Sequence, residues 1–274
     1  MTINKIILFG SSGMLGKYIY SYFKTKINII IIEYKIKNNN FEVLEQMLVN
    51  NHIDETTCII NCIGLIPQRI YQTENKAYFL INSIFPTILW NICKKYKAKM
   101  IQPSTDCVFS GKKGNYLETD IHDETSYYGM SKSLGEPYDC TIIRTSIIGL
   151  ELMNKKSFLE WVISNKNNQI NGFTNHYWNG ITCLEYCKVI EKIIHQNIFW
   201  CGIRHIYAPT SKSKYELASI INDIFNLNMN VIPVETNDKI DKTLLSIYNN
   251  NDIFEIPELY NQINELKDFK LFKE

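Results

Sequence analysis

Short apolar runs, each ending in a glycine, an asparagine or a small polar residue, alternate along the first half of this chain with stretches whose apolar residues recur at helical spacing. Residues 5–9 (Lys-Ile-Ile-Leu-Phe) form such a run before Gly10. A strand apolar on both faces belongs inside a parallel sheet covered on both sides. Residues 14–23 then carry apolar and aromatic side chains at helical spacing. A second buried strand is predicted over 27–32, ending at Glu33, and a third over 58–62, ending in Asn61-Cys62-Ile63-Gly64. The spacing predicts a helix over 74–96, kinked or broken at Pro86, and a strand over 100–103 leading into Ser104-Thr105-Asp106. Residues 128–137 open another helix and 141–144 read as a strand. Alternating strands and helices of this kind imply an α/β fold with a doubly wound parallel sheet.

After Gly149 the pattern is less regular. Helices are predicted over 158–163, 184–194, 214–225 and 255–272, and a strand over 203–207. Residues 171–180, polar and aromatic, read as a loop, and the polar patch 35–40 as a surface loop. The organisation expected is a nucleotide-binding part over 1–149, to which about 181–208 returns, and a smaller C-terminal substrate-binding lobe from 150–180 and 209–274.

The chain has 274 residues and 45% hydrophobic content, enough for one large α/β domain with an appended lobe. Twenty-nine basic and 28 acidic residues leave a net charge of +1, which offers no electrostatic case for nucleic acid or an anionic membrane. No run of 18 apolar residues is present, so no membrane span is expected. A strand that starts almost at once leaves no room for a signal peptide. The eight cysteines are scattered without a C-x-x-C pair, which fits reduced thiols in a cytoplasm. Cys183 and Cys187 lie four apart on a predicted helix, without a second ligand pair, and read as buried thiols. His52, His122, His195 and His205 lack metal-ligand spacing, and no metal is expected.

Gly10, Gly13 and Gly16 follow one strand and open a helix. A tight turn there aims backbone N–H groups and the helix N-terminus at a pyrophosphate. Ser12, Met14 and Leu15 lie in the same turn, and Cys62 and Gly64 end the neighbouring strand. The spacing G-x-x-G-x-x-G is one residue longer at its start than the usual dinucleotide fingerprint. Glu33, at the end of the second strand, suits a ribose 2′-OH and so NAD(H). Lys35 and Lys37 just beyond suit a 2′-phosphate, and tilt the reading to NADP(H).

Tyr128 and Lys132 lie four apart, on one face of a predicted helix. A lysine charge beside an oxidised nicotinamide favours tyrosinate, so the phenol exchanges a proton with a carbonyl or alkoxide near neutral pH. Thr105, at a strand end, adds a hydroxyl that orients the carbonyl oxygen. Together with the glycine turn, these residues describe a nicotinamide-dependent carbonyl reductase or alcohol dehydrogenase.

The segment Ser104-Thr105-Asp106-Cys107-Val108-Phe109-Ser110-Gly111, then Tyr116-x-Glu118-x-Asp120 and Tyr128-Gly129-Met130-Ser131-Lys132-x-x-Gly135-Glu136, resembles the extended short-chain dehydrogenase/reductase family. Within it the likeness is greatest to dTDP-4-dehydrorhamnose reductases and related sugar-nucleotide reductases, over essentially the whole chain. Asn82-Ser83-x-x-Pro86 looks like the family's helix with an active-site asparagine, and Arg144-Thr145-Ser146 like the strand closing the nucleotide half. The resemblance implies a Rossmann half with a small substrate lobe, and a catalytic set of Thr105, Tyr128 and Lys132. It also implies NADPH-dependent reduction of a nucleotide-linked 4-keto-6-deoxyhexose, with UDP or dTDP as the nucleotide and with or without a 2-acetamido group, in deoxysugar biosynthesis. Helix faces in the family often pair, so a homodimer is a possible assembly.

One departure suggests a second reaction. Dehydrorhamnose reductases usually carry tyrosine where this chain has Cys107. A cysteine there resembles epimerase/reductases, in which it exchanges the proton beside the ketone while a distant histidine or lysine serves the other ring face. His176 stands at the corresponding distance. The alternative is that Cys107 packs and His176 contacts ligand. Gln68, Asn82, Asp106, Asn175 and Trp178 are candidate substrate contacts, with Trp178 and Tyr177 placed to stack on a base; Arg69 beside Gln68 reads equally as an exposed charge. Rival readings are a 4,6-dehydratase or 4-epimerase with bound NAD, against which the missing glutamate after Asp106 counts, and a dinucleotide-binding regulatory subunit without catalysis.

Overall fold

The computed structural model describes residues 2–36, 41–67, 75–153 and 155–272. Its first half runs β1 (Lys5–Phe9), α1 (Met14–Phe23), β2 (Asn28–Ile32), α2 (Glu42–Asn50), β3 (Thr57–Asn61), α3 (Lys76–Phe79), a π-helical turn (Leu80–Ile84), α4 (Phe85–Lys95), β4 (Lys99–Ser104), α5 (Tyr127–Leu134) and β5 (Thr141–Arg144). Then follow β6 (Ile147–Ile148), α6 (Phe158–Ser164), β7 (Gln169–Phe173), β8 (His176–Trp178), β9 (Ile181–Thr182), α7 (Cys183–Gln196) and β10 (Gly202–His205). The chain ends with β11 (Lys212–Ser213), α8 (Lys214–Phe225), β12 (Asn230–Val234), β13 (Ile240–Asp241), α9 (Asn250–Phe254) and α10 (Leu259–Asp268).

Six strands form the central sheet in the order β10-β5-β4-β3-β1-β2, every pair parallel. This is the doubly wound Rossmann-like α/β fold. Its apolar strands have the expected cause. Ile6, Leu8, Cys58, Ile60, Ile101 and Ile143 face one core, against α1 and α7. Ile7, Phe9, Ile59, Met100 and Ile142 face the other, against α2 and α4. Alternate side chains thus enter two different cores, one on each face of the sheet.

The strand order reverses between β1 and β3, where Phe9 pairs with Asn61. The crevice at the carboxyl ends of strands at such a reversal is where this class of sheet binds ligands. β10 lies in the sheet beside β5, and α7 packs on α1.

Two features differ from the sequence reading. The helix predicted over 74–96 runs on in helical conformation from Lys76 to Lys95 and does not break at Pro86. Proline offers no N–H to the Asn82 carbonyl four residues back, and the helix widens into the π turn before it continues as α4. Residues 171–180 are not a loop. β7 pairs in parallel with β12, and β8 lies between β11 and β13. α2, β11, β12 and β13 are further elements that the hydrophobic pattern did not reveal.

Candidate active site

α1 starts at the end of β1 with no side chain capping its N-terminus and no acidic residue in its first turn. Its leading N–H groups and positive dipole end therefore remain available to an anion. Gly10 has φ +75°, and a Cβ there would meet the backbone of Cys62 at 2.6 Å. A Cβ on Gly16 would meet the Gly10 carbonyl at 2.1 Å, so this glycine seats the helix on the turn. At Gly13 the nearest atom is that same carbonyl, at an ordinary 3.4 Å. Protein packing does not demand a glycine at 13, whereas close approach of a phosphate would.

The turn forms one end of a cleft of about 440 Å³. Gly13, Met14 and Leu15 line that end, with Cys62 and Gly64 beside them from the end of β3. Ser12 is exposed on a smaller adjoining hollow closed by residues 150–153. Thr105, Asp106, Cys107, Tyr128 and Lys132 line the same cleft, and Phe158 of α6 also borders it. The glycine turn and the hydroxyl–phenol–ammonium set, which the sequence holds far apart, thus meet at one sheet edge.

Each catalytic candidate is positioned by its own element. Thr105 follows β4 and caps the short 3₁₀ turn Asp106–Val108: its Oγ1 accepts from the Cys107 N–H at 3.1 Å and donates to Asp106 Oδ1 at 3.1 Å. Ser126 caps α5, accepting from the Gly129 N–H, and so fixes where Tyr128 leaves the helix. Lys132, one turn on, donates from Nζ to the Pro103 carbonyl at 2.9 Å, which ties α5 to β4.

Burial pushes the Tyr128 phenol above its ordinary range, the Cys107 thiol and Asp106 carboxyl nearby add to this, and a hydrogen bond with Thr105 opposes it. Without ligand, then, Tyr128 is a protonated donor, and the opposing group is Thr105. Burial lowers Lys132, while Glu136 and Cys62 hold it up. Burial likewise pushes the Cys107 thiol up to about 12, so it is no ready base in this state.

Asn82 is drawn to the site by the π turn, but its amide is taken up by protein. Nδ2 donates to the Leu65 carbonyl and to Ser131 Oγ, each at 3.0 Å, and Oδ1 accepts from the Leu65 N–H at 2.8 Å. Ser83 Oγ donates to the Ser131 carbonyl at 2.7 Å. The pair holds α5 against the strand end beyond β3, a positioning task rather than a substrate contact.

Three other sequence candidates do not line the cleft. His176 Nε2 pairs with Thr236 Oγ1 at 2.8 Å and its ring lies 4.7 Å from that of Phe173. Asn175 spends its amide on the backbone of Thr236 and Asp238. Trp178 is buried in the core, where no face is open to a base. Glu33 and Lys35 are exposed just after β2. Lys37, Gln68 and Arg69 lie outside the described residues. Cys183 and Cys187 are both fully buried in the core. Among the described residues no cluster of three metal-ligating side chains occurs, and no helix is long and apolar enough to cross a membrane.

Sequence reasoning missed two groups. One is a buried charge network behind Thr105. Glu136 accepts from Arg144 Nε at 3.1 Å, from Arg144 Nη2 at 2.7 Å and from Ser104 Oγ. Two further Arg144 N–H groups go to His205 Nε2 at 2.9 Å and His122 Nε2 at 2.7 Å. Because an arginine only donates, both imidazoles accept and stay neutral. Burial and the Arg144 charge lower both, His205 to about 4. The Tyr-Gly-Met-Ser-Lys-x-x-Gly-Glu segment contained Glu136, but only the fold brings the histidines to it. The other group is a pair of lysines, Lys214 and Lys242, whose charges act on Asp106 and Cys107.

Comparison with known proteins places the chain in a family. Residues 4–244 match the family described as the RmlD substrate binding domain. A dTDP-4-dehydrorhamnose reductase of Aggregatibacter actinomycetemcomitans is 24% identical over 239 residues, 80% of this chain and 78% of that protein. The methionine adenosyltransferase 2 subunit beta of Xenopus laevis is 24% identical over 246 residues, 81% of this chain and 72% of that protein. Among solved structures, a Bacillus anthracis dTDP-4-dehydrorhamnose reductase in complex with NADP superposes with a TM-score of 0.81 at 22% identity, covering 96% of this chain and 98% of the other. With a match over most of its length and the fold to go with it, the chain belongs to the RmlD substrate binding domain family.

Proposed function

We propose that this chain is an NADPH-dependent reductase of the 4-keto group of a nucleotide-linked 4-keto-6-deoxyhexose, with UDP or dTDP as the nucleotide. The observation that carries the reading is the convergence of Thr105, Tyr128 and Lys132 with the uncapped α1 N-terminus in one cleft. Family membership and the NADP complex of the Bacillus anthracis reductase support it.

The residues fit a dinucleotide. The open position at Gly13 and the free N-terminus of α1 receive the pyrophosphate. Lys132, whose ammonium already donates to Pro103 at 2.9 Å, is placed to hold ribose hydroxyls and to add positive charge beside the phenol. When bound, the reduced nicotinamide supplies hydride to the carbonyl carbon. Tyr128 delivers a proton from its phenol to the carbonyl oxygen, and its raised pKa keeps that proton in place across neutral pH. The Thr105 hydroxyl orients the same oxygen. Asn82 and Ser83 hold α5 so that the phenol meets it.

Reduction without epimerisation is the simpler reading. Cys107 lines the cleft, but His176 is engaged with Thr236 and supplies no acid on the opposite ring face. A regulatory role is the second reading, favoured by the equal identity to a methionine adenosyltransferase subunit. The test is to add NADPH and a UDP- or dTDP-4-keto-6-deoxyhexose and follow absorbance at the nicotinamide band. Stoichiometric oxidation with one hydrogen added at C4 supports the reductase. Tight NADPH binding without turnover on either substrate supports the regulatory reading.

A further inference from the structure

Lys214 is the first residue of α8, behind a Ser213–Glu216 capping box that fixes the helix start. Its ammonium lies 4.6 Å from the ring centre of Phe158 and 5.4 Å from that of Trp178. Among the described residues the ammonium makes no hydrogen bond or ion pair, and it faces these two rings. Ring faces attract a cation but do not replace its hydration. Burial lowers the lysine, while Asp106 and Cys107, which line the cleft beside Thr105, raise it. Phe158 is a third lining residue. Lys242, the other cation felt by Asp106 and Cys107, differs in being paired to Glu124 at 3.3 Å.

The glycine end of the cleft takes a dinucleotide, so a second molecule enters from the end marked by Cys107 and Phe158. There stands a partly desolvated cation that, among the described residues, makes no direct ion pair. A cation held so is costly to the fold unless a ligand completes it. Resting on the sugar-nucleotide reading above, we infer that Lys214 is a substrate-binding residue whose ammonium takes an anionic oxygen of the diphosphate linking nucleoside and sugar. Phe158 and Trp178 keep water from that ammonium and hold it in place.

The test is titration of the NADPH-loaded enzyme with UDP and with dTDP, for wild type, Lys214→Met and Lys214→Arg, alongside NADPH affinity and thermal melting. The expected result is a loss of about 10- to 100-fold in nucleoside diphosphate affinity for Lys214→Met, the range of a charge-assisted hydrogen bond. Lys214→Arg should retain most of the affinity, NADPH binding should not change, and Lys214→Met should melt no lower than wild type, since methionine fills the same slot without a charge. If wild type binds a nucleoside diphosphate and Lys214→Met binds it equally well, the inference is wrong and the reductase reading stands. A lowered melting point with equal losses for NADPH and nucleoside diphosphate would make Lys214 structural and overturn it too. If wild type binds neither UDP nor dTDP, the sugar-nucleotide reading itself falls.

Discussion

Two regions of the molecule are built differently. The wall bearing Thr105, Tyr128 and Lys132 rests on a strand end and one helix beside the central sheet, and two of its elements are fixed by caps near in sequence: Ser126 caps the helix of Tyr128, and Thr105 caps its own 3₁₀ turn. Lys214 and Lys242, behind the cleft residues Asp106 and Cys107, come instead from segments held by long-range pairing, β8 with β11 and β13. Chemistry that must act at one atom is placed on rigid local geometry.

The sharpest way to break this contrast is to attack the support of the first region. Arg144→Met leaves Glu136 buried without its counter-ion and should cost about 3–5 kcal/mol of stability in chemical denaturation. A cost below about 1 kcal/mol would mean that the network does not hold the strand end.

Acid should loosen the same support. The folded pKa of His205 is depressed to about 4, below the ordinary histidine value near 6.5. Below about 6.5 the unfolded chain takes up a proton that the folded chain refuses, so stability falls with pH down to about 4 and flattens beneath. Above the ordinary histidine value this group contributes no pH dependence. His205→Gln should remove much of that slope, and the midpoint of urea unfolding measured from pH 4 to 8 reads it. An unchanged slope would place the titration elsewhere.

In the second region, away from the cleft, His176→Asn is expected to change reductase turnover by less than about three-fold, since the imidazole faces Thr236. A loss of more than about 30-fold in kcat would bring His176 back as an acid for the far ring face.

The difference between the two regions also explains what the sequence revealed. β1, α1, β5 and α8 appear at their predicted residues because each is a buried run or an amphipathic stretch with a local stop signal. The Tyr128–Lys132 pair and the glycine turn are legible for the same reason: their spacing is their geometry. Residues 171–180 read as a loop because Asn171, Asn175 and Asn179 interrupt any apolar alternation, and the partners that make them strands come from β11, β12 and β13. The likeness to epimerase/reductases suggested His176, and its place beside Tyr177 and Trp178 suggested Asn175, as groups at the substrate, whereas both turn toward residues 236–238. Lys214 was invisible because nothing in its neighbourhood marks one helix-start lysine as half-buried between two rings.

The central claim is that Tyr128 hands its phenolic proton to a carbonyl oxygen while NADPH is consumed. Tyr128→Phe tests it most directly, with NADPH affinity and single-turnover oxidation measured on the same preparation. The account predicts unchanged NADPH affinity and a rate of ketone reduction lower by about 10²- to 10⁴-fold than wild type, the range of a lost general acid. Reduction by the phenylalanine variant at a rate within a few-fold of wild type would contradict it.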